Sequence, residues 1–351
     1  MSGEPGDATR DISLADVRAA AGRIAGRVSR TPMLASRGAA RRVEESAGVT
    51  LGSSSAGAGT LSDGQPRLFL KAEHLQVTGS FKPRGATNRV LQLTSAERRA
   101  GLITLSAGNH AQAVAYAAAS AGVSVTVVMP AGASRAKAAA AAAYGAEVIL
   151  HGAHVGDTFA RMEELRDERG LVFIHPFDDP AIIAGQGTVG LEIVEDLPEI
   201  DVIVVGVGGG GLISGVAAAA RQLRPEVRVI GVEPESSDAL SRGLAAGEPV
   251  PLQPMSIADG LGAPFAGHWT IALASRYVER IVLVDEATIA GGLRFALERM
   301  KQLLEPAGAA ALGAVLSGHV PLHDGETVCV VASGGNVDVE RLPELLALAA
   351  D

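Results

Sequence analysis

Short apolar, β-branched runs alternate with alanine-rich segments along most of this chain, and no other sequence feature restricts the fold as strongly. The apolar runs predict strands at residues 123–129, 147–150, 202–207, 227–232, 281–284 and 327–332. The alanine-rich segments predict helices at residues 111–121, 134–144, 214–223 and 287–304. Apolar strands that alternate with helices are typical of parallel sheets flanked by helices. We therefore predict an α/β fold whose ligand site lies at the carboxyl ends of the strands.

Composition excludes several classes of function. A net charge of -9 argues against a nucleic-acid partner, because phosphate backbones attract positive surfaces. One cysteine, Cys329, excludes an intramolecular disulfide. Residues 202–220 carry no charge, but glycines at 206 and 208–211 interrupt them, so we predict no membrane span. The first residues lack an apolar signal segment, and we expect a cytoplasmic protein.

The first of three candidate functional loops covers residues 78–86. Gly79 and Ser80 predict a turn and a helix N-cap, which places Lys82 at the start of a helix. A helix N-terminus disfavours a cation and lowers the pKa of a lysine there, which favours nucleophilic use. Taken alone, however, a lysine close to an arginine such as Arg84 is most often solvated surface.

The second loop follows a strand-like segment at residues 101–105 and precedes an alanine-rich helix. Its residues are Ser106, Ala107, Gly108, Asn109 and His110. Small residues at a helix N-terminus let backbone N–H groups approach an anion, and a carboxylate or a phosphate would suit equally well. An ordinary strand-to-helix turn is the alternative.

The third loop is a run of four glycines, residues 208–211, between a predicted strand and a predicted helix. Unhindered N–H groups in such a loop are suited to binding a phosphate. Residues 206–211 also satisfy G-x-G-x-x-G, and Glu233 ends the next strand, as in a dinucleotide-binding fold. A nicotinamide-dependent dehydrogenase is therefore the alternative from a different class, although it leaves the lysine loop unexplained.

Together these loops resemble fold-type II pyridoxal-phosphate enzymes, specifically the serine/threonine dehydratase and serine racemase group. The resemblance rests on these motifs in this order: Arg30-Thr31-Pro32, Gly79-Ser80-Phe81-Lys82, Ser106-Ala107-Gly108-Asn109-His110, His175-Pro176-Phe177-Asp178, Gly185-Gln186-Gly187-Thr188, the four glycines, Ile257-Ala258-Asp259-Gly260, Glu305-Pro306 and Ser333-Gly334-Gly335-Asn336. It implies a two-domain α/β fold like that of the tryptophan synthase β subunit, with pyridoxal 5′-phosphate as cofactor.

The resemblance also implies a role for each matching residue. Lys82 would bind the cofactor aldehyde and act as the catalytic base, Phe81 would flank the ring, and Asn109 would bond its 3′-oxygen. Ser333 would place its hydroxyl at the pyridine nitrogen. The phosphate would be held by Gly208, Gly209, Gly210, Gly211 and Leu212. The substrate carboxylate would be received by Ser106, Ala107, Gly108, Asn109 and His110.

The reaction implied by the resemblance is β-elimination of water from L-threonine or L-serine, which yields a 2-oxo acid and ammonia. A neutral serine at the pyridine nitrogen leaves the ring a weaker electron sink and favours prompt loss of a β-leaving group. Serine racemase and 3-hydroxyaspartate dehydratase are the alternatives within the family. The racemases carry a serine at the position of Ala107, and alanine has no proton to exchange, which favours the dehydratase.

A cation site and the domain boundaries complete the expectations. Glu233 and Ser237 match two oxygen ligands with which relatives bind Mg²⁺ or Ca²⁺, but the third position holds Ala239. We expect a large cofactor-binding domain from residues 1–100 and 178–351, a small domain from residues 101–177, and a flexible insertion at residues 51–65. The resemblance suggests a homodimer that acts on a small amino acid. Because the chain ends soon after Asn336, we expect no C-terminal regulatory domain.

Overall fold

The computed structural model describes residues 10–52 and 67–349, so most of the insertion predicted at 51–65 lies outside the described residues. The strands are β1 (Met33–Ser36), β2 (Leu68–Lys71), β3 (Leu102–Leu105), β4 (Val125–Met129), β5 (Glu147–Leu150), β6 (Val172–Phe173), β7 (Val202–Gly206), β8 (Arg228–Pro234), β9 (Arg280–Val284) and β10 (Val328–Val331).

The helices alternate with these strands along most of the chain. They are α1 (Leu14–Ile24), α2 (Arg37–Ala47), α3 (Lys82–Leu91), α4 (Ser95–Ala100), α5 (Asn109–Ala121), α6 (Arg135–Ala143), α7 (Val155–Arg169), α8 (Pro180–Asp196), α9 (Gly211–Leu223), α10 (Ala239–Ala246), α11 (His268–Tyr277), α12 (Glu286–Phe295), α13 (Pro306–Leu316) and α14 (Leu342–Ala347). Short 3₁₀ turns lie at Glu73–Leu75, Val77–Gly79, Asp259–Leu261 and Val339–Arg341.

The larger sheet has six strands in the order β1-β2-β10-β7-β8-β9. Five of them run parallel, while β1 pairs with β2 in the antiparallel direction. The predicted α/β fold with parallel sheets flanked by helices is confirmed, and β1 adds one antiparallel strand at the edge of this sheet. Strands β1 and β2 have only four residues each, and neither was among the predicted strands.

Helices cover both faces of the six-stranded sheet. Successive side chains of a strand point to opposite faces, and in β7 Val204 packs into the cluster with α2, α12 and α13 while Val205 packs into the cluster with α8, α9 and α11. Burial of both sets explains why β7 is apolar along its whole length. This two-sided covering leaves the carboxyl ends of the strands as the edge at which a ligand can bind.

The smaller sheet has four parallel strands in the order β5-β4-β3-β6. All four lie between residues 101 and 177. Helix α5 packs on one face with part of α3, and α7 packs on the other. Helix α3, which begins at Lys82, also contacts α8 of the larger layer. This arrangement supports the predicted two-domain division, whose boundaries stay a prediction.

One predicted helix is shorter than its sequence pattern indicated. The segment predicted at residues 287–304 forms α12 and then a π-helical turn at Ala296–Met300. Lys301 ends it with a left-handed backbone (φ 59°). No glycine or proline marks this end, so the sequence carried no stop signal there. The residues after Lys301 instead lead the chain back to the ends of the sheet strands.

Among the helices of the described residues, none combines the length and hydropathy needed to cross a bilayer. The uncharged segment at residues 202–220 is divided between β7 and α9, as predicted.

Candidate active site

The lysine loop docks on the carboxyl end of β10. The backbone N–H of Phe81 donates to the carbonyl of Ser333 at 3.1 Å, and Ser80 forms a β-bridge with Gly334. Strand β10 is paired with β7, whose end leads into the glycine loop. The first loop, the third loop and Ser333 are therefore brought to one edge of the larger sheet.

Lys82 is the first residue of α3, as predicted, and its Nζ donates to the carbonyl of Pro176 at 2.8 Å. Desolvation lowers the pKa of Lys82 to about 8, against the attraction of Glu305. The predicted cause, the helix N-terminus, is thus not the main one. The N-cap position is Phe81 rather than Ser80. The ring centroid of Phe81 lies 5.2 Å from Lys82 Nζ.

The glycine loop is enclosed so tightly that larger residues would collide. A Cβ at Gly209 would lie 2.4 Å from the ring of Phe177, and one at Gly211 2.9 Å from Phe177 Cβ. Gly210 adopts φ +88°, which only glycine tolerates well, and a Cβ there would lie 2.8 Å from Thr270. The loop leads into α9, where unpaired N–H groups at the helix N-terminus are exposed to an anion.

Phe177 links the glycine loop to the lysine, because it directly follows the Pro176 that accepts from Lys82 Nζ. Asp178 fixes this segment from the other side: its carboxylate accepts from the N–H groups of Trp269 and Thr270 at the start of α11. The structure therefore assigns positioning tasks to Pro176 and Asp178, to which the sequence assigned none. Their presence in a family motif was the signal that could have found them.

Ser333 follows β10 and is buried. Its Oγ donates to the carbonyl of Ala307 at 3.4 Å, a long hydrogen bond. Leu212, the last residue of the predicted phosphate loop, is buried in the core beside α8 rather than open to the cleft.

The second loop joins β3 to α5 and includes Gly108 as the N-cap of α5. The N–H of Gly108 donates to Ser106 Oγ at 3.1 Å, and Ala107 is partly buried. His110 is buried with Nε2 3.1 Å from the carbonyl of Ile174, so Nε2 is the protonated nitrogen. Burial lowers the pKa of His110 to about 3, and the side chain is neutral at ordinary pH.

Asn109, the first residue of α5, is bonded at both ends of its amide. Its Nδ2 donates to Glu305 Oε1 at 2.5 Å, and its Oδ1 accepts from Asn336 Nδ2 at 2.7 Å. Sequence reasoning noted Glu305 and Asn336 in motifs but gave them no role. The two contacts join the second loop to Glu305, which directly precedes α13, and to Asn336, which follows β10.

The predicted cation ligands are arranged differently. The carboxylate of Glu233 accepts from the N–H groups of Leu240 and Ser241 at 2.7 and 3.0 Å and from Ser241 Oγ at 2.6 Å. Ser237 is buried, and its Oγ has no hydrogen-bond partner among the described residues. Among residues 10–52 and 67–349, no group of three or more His, Cys, Asp or Glu is placed to hold a metal ion. The predicted Mg²⁺ or Ca²⁺ site therefore finds no support here.

A lysine amine of lowered pKa, a glycine cradle at a helix N-terminus and a buried hydroxyl at a strand end define a class of enzymes that bind a phosphorylated carbonyl cofactor through lysine. The pyridoxal-phosphate dependent enzyme family matches residues 58–334, and the chain belongs to it. The prediction of a pyridoxal-phosphate enzyme is confirmed, and the nicotinamide alternative is set aside.

Relatives and solved structures agree with this membership. An L-threonine ammonia-lyase of Thermotoga maritima is 44% identical over 80% of this chain and 69% of its own length. A catabolic L-threonine dehydratase of Escherichia coli strain K12 is 39% identical over 79% of this chain and 85% of its own. Maize serine racemase has a TM-score of 0.84 and 34% identity, over 96% of this chain and 97% of that one. Threonine deaminase isoform 2 from Solanum lycopersicum has a TM-score of 0.83 and 30% identity, over 99% and 93%.

The residues present fit pyridoxal phosphate. Lys82 offers the amine for the aldehyde, residues 208–211 offer N–H groups to the phosphate, and Ser333 offers a neutral hydroxyl to the pyridine nitrogen. Ser80 Oγ, two residues before Lys82, is buried and has no hydrogen-bond partner among the described residues. A buried polar atom of this kind is expected where a polar ligand completes the site.

The glycine loop predicts a specific loss of cofactor affinity. Gly210→Ala forces a side chain into a left-handed backbone and against Thr270, and we expect the dissociation constant for pyridoxal phosphate to rise about tenfold or more. Titration of the apoprotein with cofactor, followed by absorbance, measures this. Gly291→Ala is the matched control, because a Cβ at Gly291 meets nothing within 4 Å. Equal affinities for the two variants would remove the phosphate role from this loop.

Proposed function

We propose that this protein dehydrates and deaminates L-threonine, and L-serine as a second substrate, to a 2-oxo acid and ammonia. The observation that carries the proposal is Lys82, a partly buried lysine of lowered pKa at the edge shared by the glycine loop and Ser333. The relatives named above as L-threonine ammonia-lyase and L-threonine dehydratase support threonine as the substrate. The site supports the reaction class independently of those names.

Pyridoxal phosphate, when bound, supplies an electron sink that makes the Cα proton of an amino acid acidic. Lys82 Nζ takes that proton as general base, which its lowered pKa favours near neutral pH. The N–H groups at the start of α5, after Ser106 and Ala107, orient the substrate carboxylate. The β-hydroxyl then leaves as water, with the proton that Lys82 Nζ removed from Cα. The unsaturated amine that remains takes up one water molecule and gives 2-oxobutanoate and ammonia when the substrate is threonine.

Ala107 favours elimination over racemisation. Racemisation needs a second acid or base on the face of the substrate opposite Lys82, and a methyl group supplies no proton. A 3-hydroxyaspartate dehydratase would need an additional cation near the carboxylate loop. His110 does not serve as that cation, because burial keeps its pKa at about 3.

The test of this function is a product analysis of the purified holoenzyme. We expect a visible absorbance band from bound cofactor, and 2-oxobutanoate and ammonia in equal amounts from L-threonine. Chiral analysis of L-serine reactions should detect pyruvate and no D-serine. A protein that cannot be loaded with pyridoxal phosphate would contradict the whole assignment, whereas D-serine formation would contradict the argument from Ala107 alone. Faster turnover of 3-hydroxyaspartate than of threonine would reassign the substrate.

Two further expectations from the sequence stay predictions. The protein is expected to be a homodimer and to act in the cytoplasm. Sedimentation of the holoenzyme and localisation of the full chain are the corresponding measurements.

A further inference from the structure

Glu305 is a buried carboxylate beside the active site that the proposed mechanism does not use. It precedes α13, and its backbone N–H donates to the carbonyl of Gly334 at 3.1 Å. Its side chain is directed inward, and the residue is only 5% exposed. A carboxylate in such a place is costly unless it is hydrogen-bonded or attracted by a cation. Its partners therefore indicate its task.

The main partner is the amide of Asn109, which Glu305 and Asn336 hold in one orientation. Asn109 Nδ2 donates to Glu305 Oε1 at 2.5 Å, and Asn109 Oδ1 accepts from Asn336 Nδ2 at 2.7 Å. Asn336 Nδ2 also donates to the carbonyl of Thr78 at 2.7 Å, which fixes its own orientation. A reversed Asn109 amide would set oxygen against carboxylate and NH₂ against NH₂, because an ionised carboxylate only accepts.

The missing side chain of Gly334 leaves the space for the contact between Glu305 and Asn109. A Cβ at Gly334 would lie 2.1 Å from Glu305 Oε1 and 3.1 Å from Asn109 Nδ2. Any side chain there would separate the carboxylate from the amide. Gly334 follows Ser333, so the same short segment provides the hydroxyl at the strand end and the space for Glu305.

We propose that Glu305 is a positioning residue that fixes the amide of Asn109 toward the cofactor ring. This inference rests on the proposed function and on the role that the family resemblance implies for Asn109, a bond to the 3′-oxygen of pyridoxal phosphate. The amide carries two N–H groups, so one remains for the cofactor while the other is bound to Glu305. Rotation of the amide would present an oxygen to the cofactor oxygen and lose that bond.

The charges around Glu305 give the contact a pH dependence. Desolvation raises the pKa of Glu305 to about 7; Asp259 raises it further, while the bond from Asn109 and the cations Lys137 and Lys82 lower it. Above that pH the carboxylate is ionised and the bond from Asn109 is charge-assisted, and below it the bond is the weaker neutral kind. The orientation of Asn109 is therefore held more firmly as pH rises through neutrality.

The test compares holoenzyme variants by cofactor affinity and by absorbance between pH 6 and 8. Glu305→Gln keeps the shape but presents either an oxygen or an NH₂ to Asn109, and it does not titrate. We expect its dissociation constant for pyridoxal phosphate to rise about tenfold. We also expect the wild-type inflection of the cofactor band near neutral pH to be absent. Glu298→Gln, an exposed substitution on the preceding π-helical turn, is expected to behave as wild type.

A double-mutant cycle separates positioning from a merely structural role. If Glu305 acts through Asn109, then Glu305→Gln should add almost nothing to the affinity loss of Asn109→Ala. Additive losses, or a wild-type inflection retained in Glu305→Gln, would overturn the proposal. Should Glu305→Gln fail to fold, Asn336→Ser tests the same orientation without removing the buried charge. It should weaken cofactor binding, and unchanged affinity would overturn the proposal. A wild-type protein with no cofactor band would overturn the proposed function as well, which distinguishes the two failures.

Discussion

Replacement of Lys82 by alanine is expected to lower turnover of L-threonine by at least about three orders of magnitude. In the proposed mechanism, the variant loses both the amine that binds the cofactor aldehyde and the base that removes the Cα proton. Its methyl group also leaves the carbonyl of Pro176 without the bond from Nζ. Steady-state formation of 2-oxobutanoate measures the loss. Lys82→Arg keeps a cation of similar length that cannot serve as a neutral nucleophile, and it should be equally inactive.

Added small primary amines should restore part of the activity of Lys82→Ala but not of Lys82→Arg, because alanine leaves space for them. The pH dependence of cofactor binding to the apoprotein provides an independent check. The neutral amine is the reactive form, and the pKa of Lys82 is about 8. The association rate should therefore rise with pH and level off near pH 8, well below the pKa of an ordinary lysine. Turnover retained in either variant would contradict the assignment of Lys82.

The origin of that lowered pKa shows what the sequence was able to predict. The start of a helix at Lys82 followed from local signals in the loop and was confirmed. The desolvation of Lys82 could not be predicted from local signals, because its hydrogen-bond partner Pro176 lies 94 residues away in sequence. The contact between Asn109 and Glu305 spans 196 residues. Neither contact has a local pattern, since each depends on how the two sheets are placed.

Strands were predictable for a similar physical reason. The interior strands β7, β8 and β10 are buried on both faces and carry only two charged residues, Arg228 and Glu233 of β8, so their positions matched the predicted apolar runs closely. The edge strand β1 is only partly buried, and its antiparallel pairing was missed. The apolar composition of a strand indicates that it is buried. It does not indicate whether the strand runs parallel or antiparallel to its neighbour. The order of the motifs along the chain does not depend on strand direction, and it was sufficient to predict the family.

Arg84 of α3 forms a buried ionic cluster with Glu73, Glu192 and Lys71. The guanidinium of Arg84 donates to both oxygens of Glu73 at 2.8 and 2.9 Å and to those of Glu192 at 2.7 and 2.8 Å. Lys71 Nζ donates to Glu192 at 2.6 Å. Burial by itself lowers the pKa of Arg84, but the two carboxylates raise it above its usual value. Arg84 is fully buried, so the alternative interpretation of the lysine loop as solvated surface is wrong.

Arg84→Met is expected to lower the free energy of unfolding by about 3–5 kcal/mol, because it leaves Glu73 buried without its cation. Urea denaturation measures the loss, with Arg41→Met on the exposed face of α2 as the matched control, expected within about 0.5 kcal/mol of wild type. The double variant Arg84→Met/Glu73→Leu should be more stable than Arg84→Met, since it removes the uncompensated carboxylate too. A loss below about 1 kcal/mol for Arg84→Met would show that water or Lys71 compensates the carboxylates. Because Arg84 lies two residues after Lys82, the cluster anchors the first turn of α3, the helix that begins at Lys82.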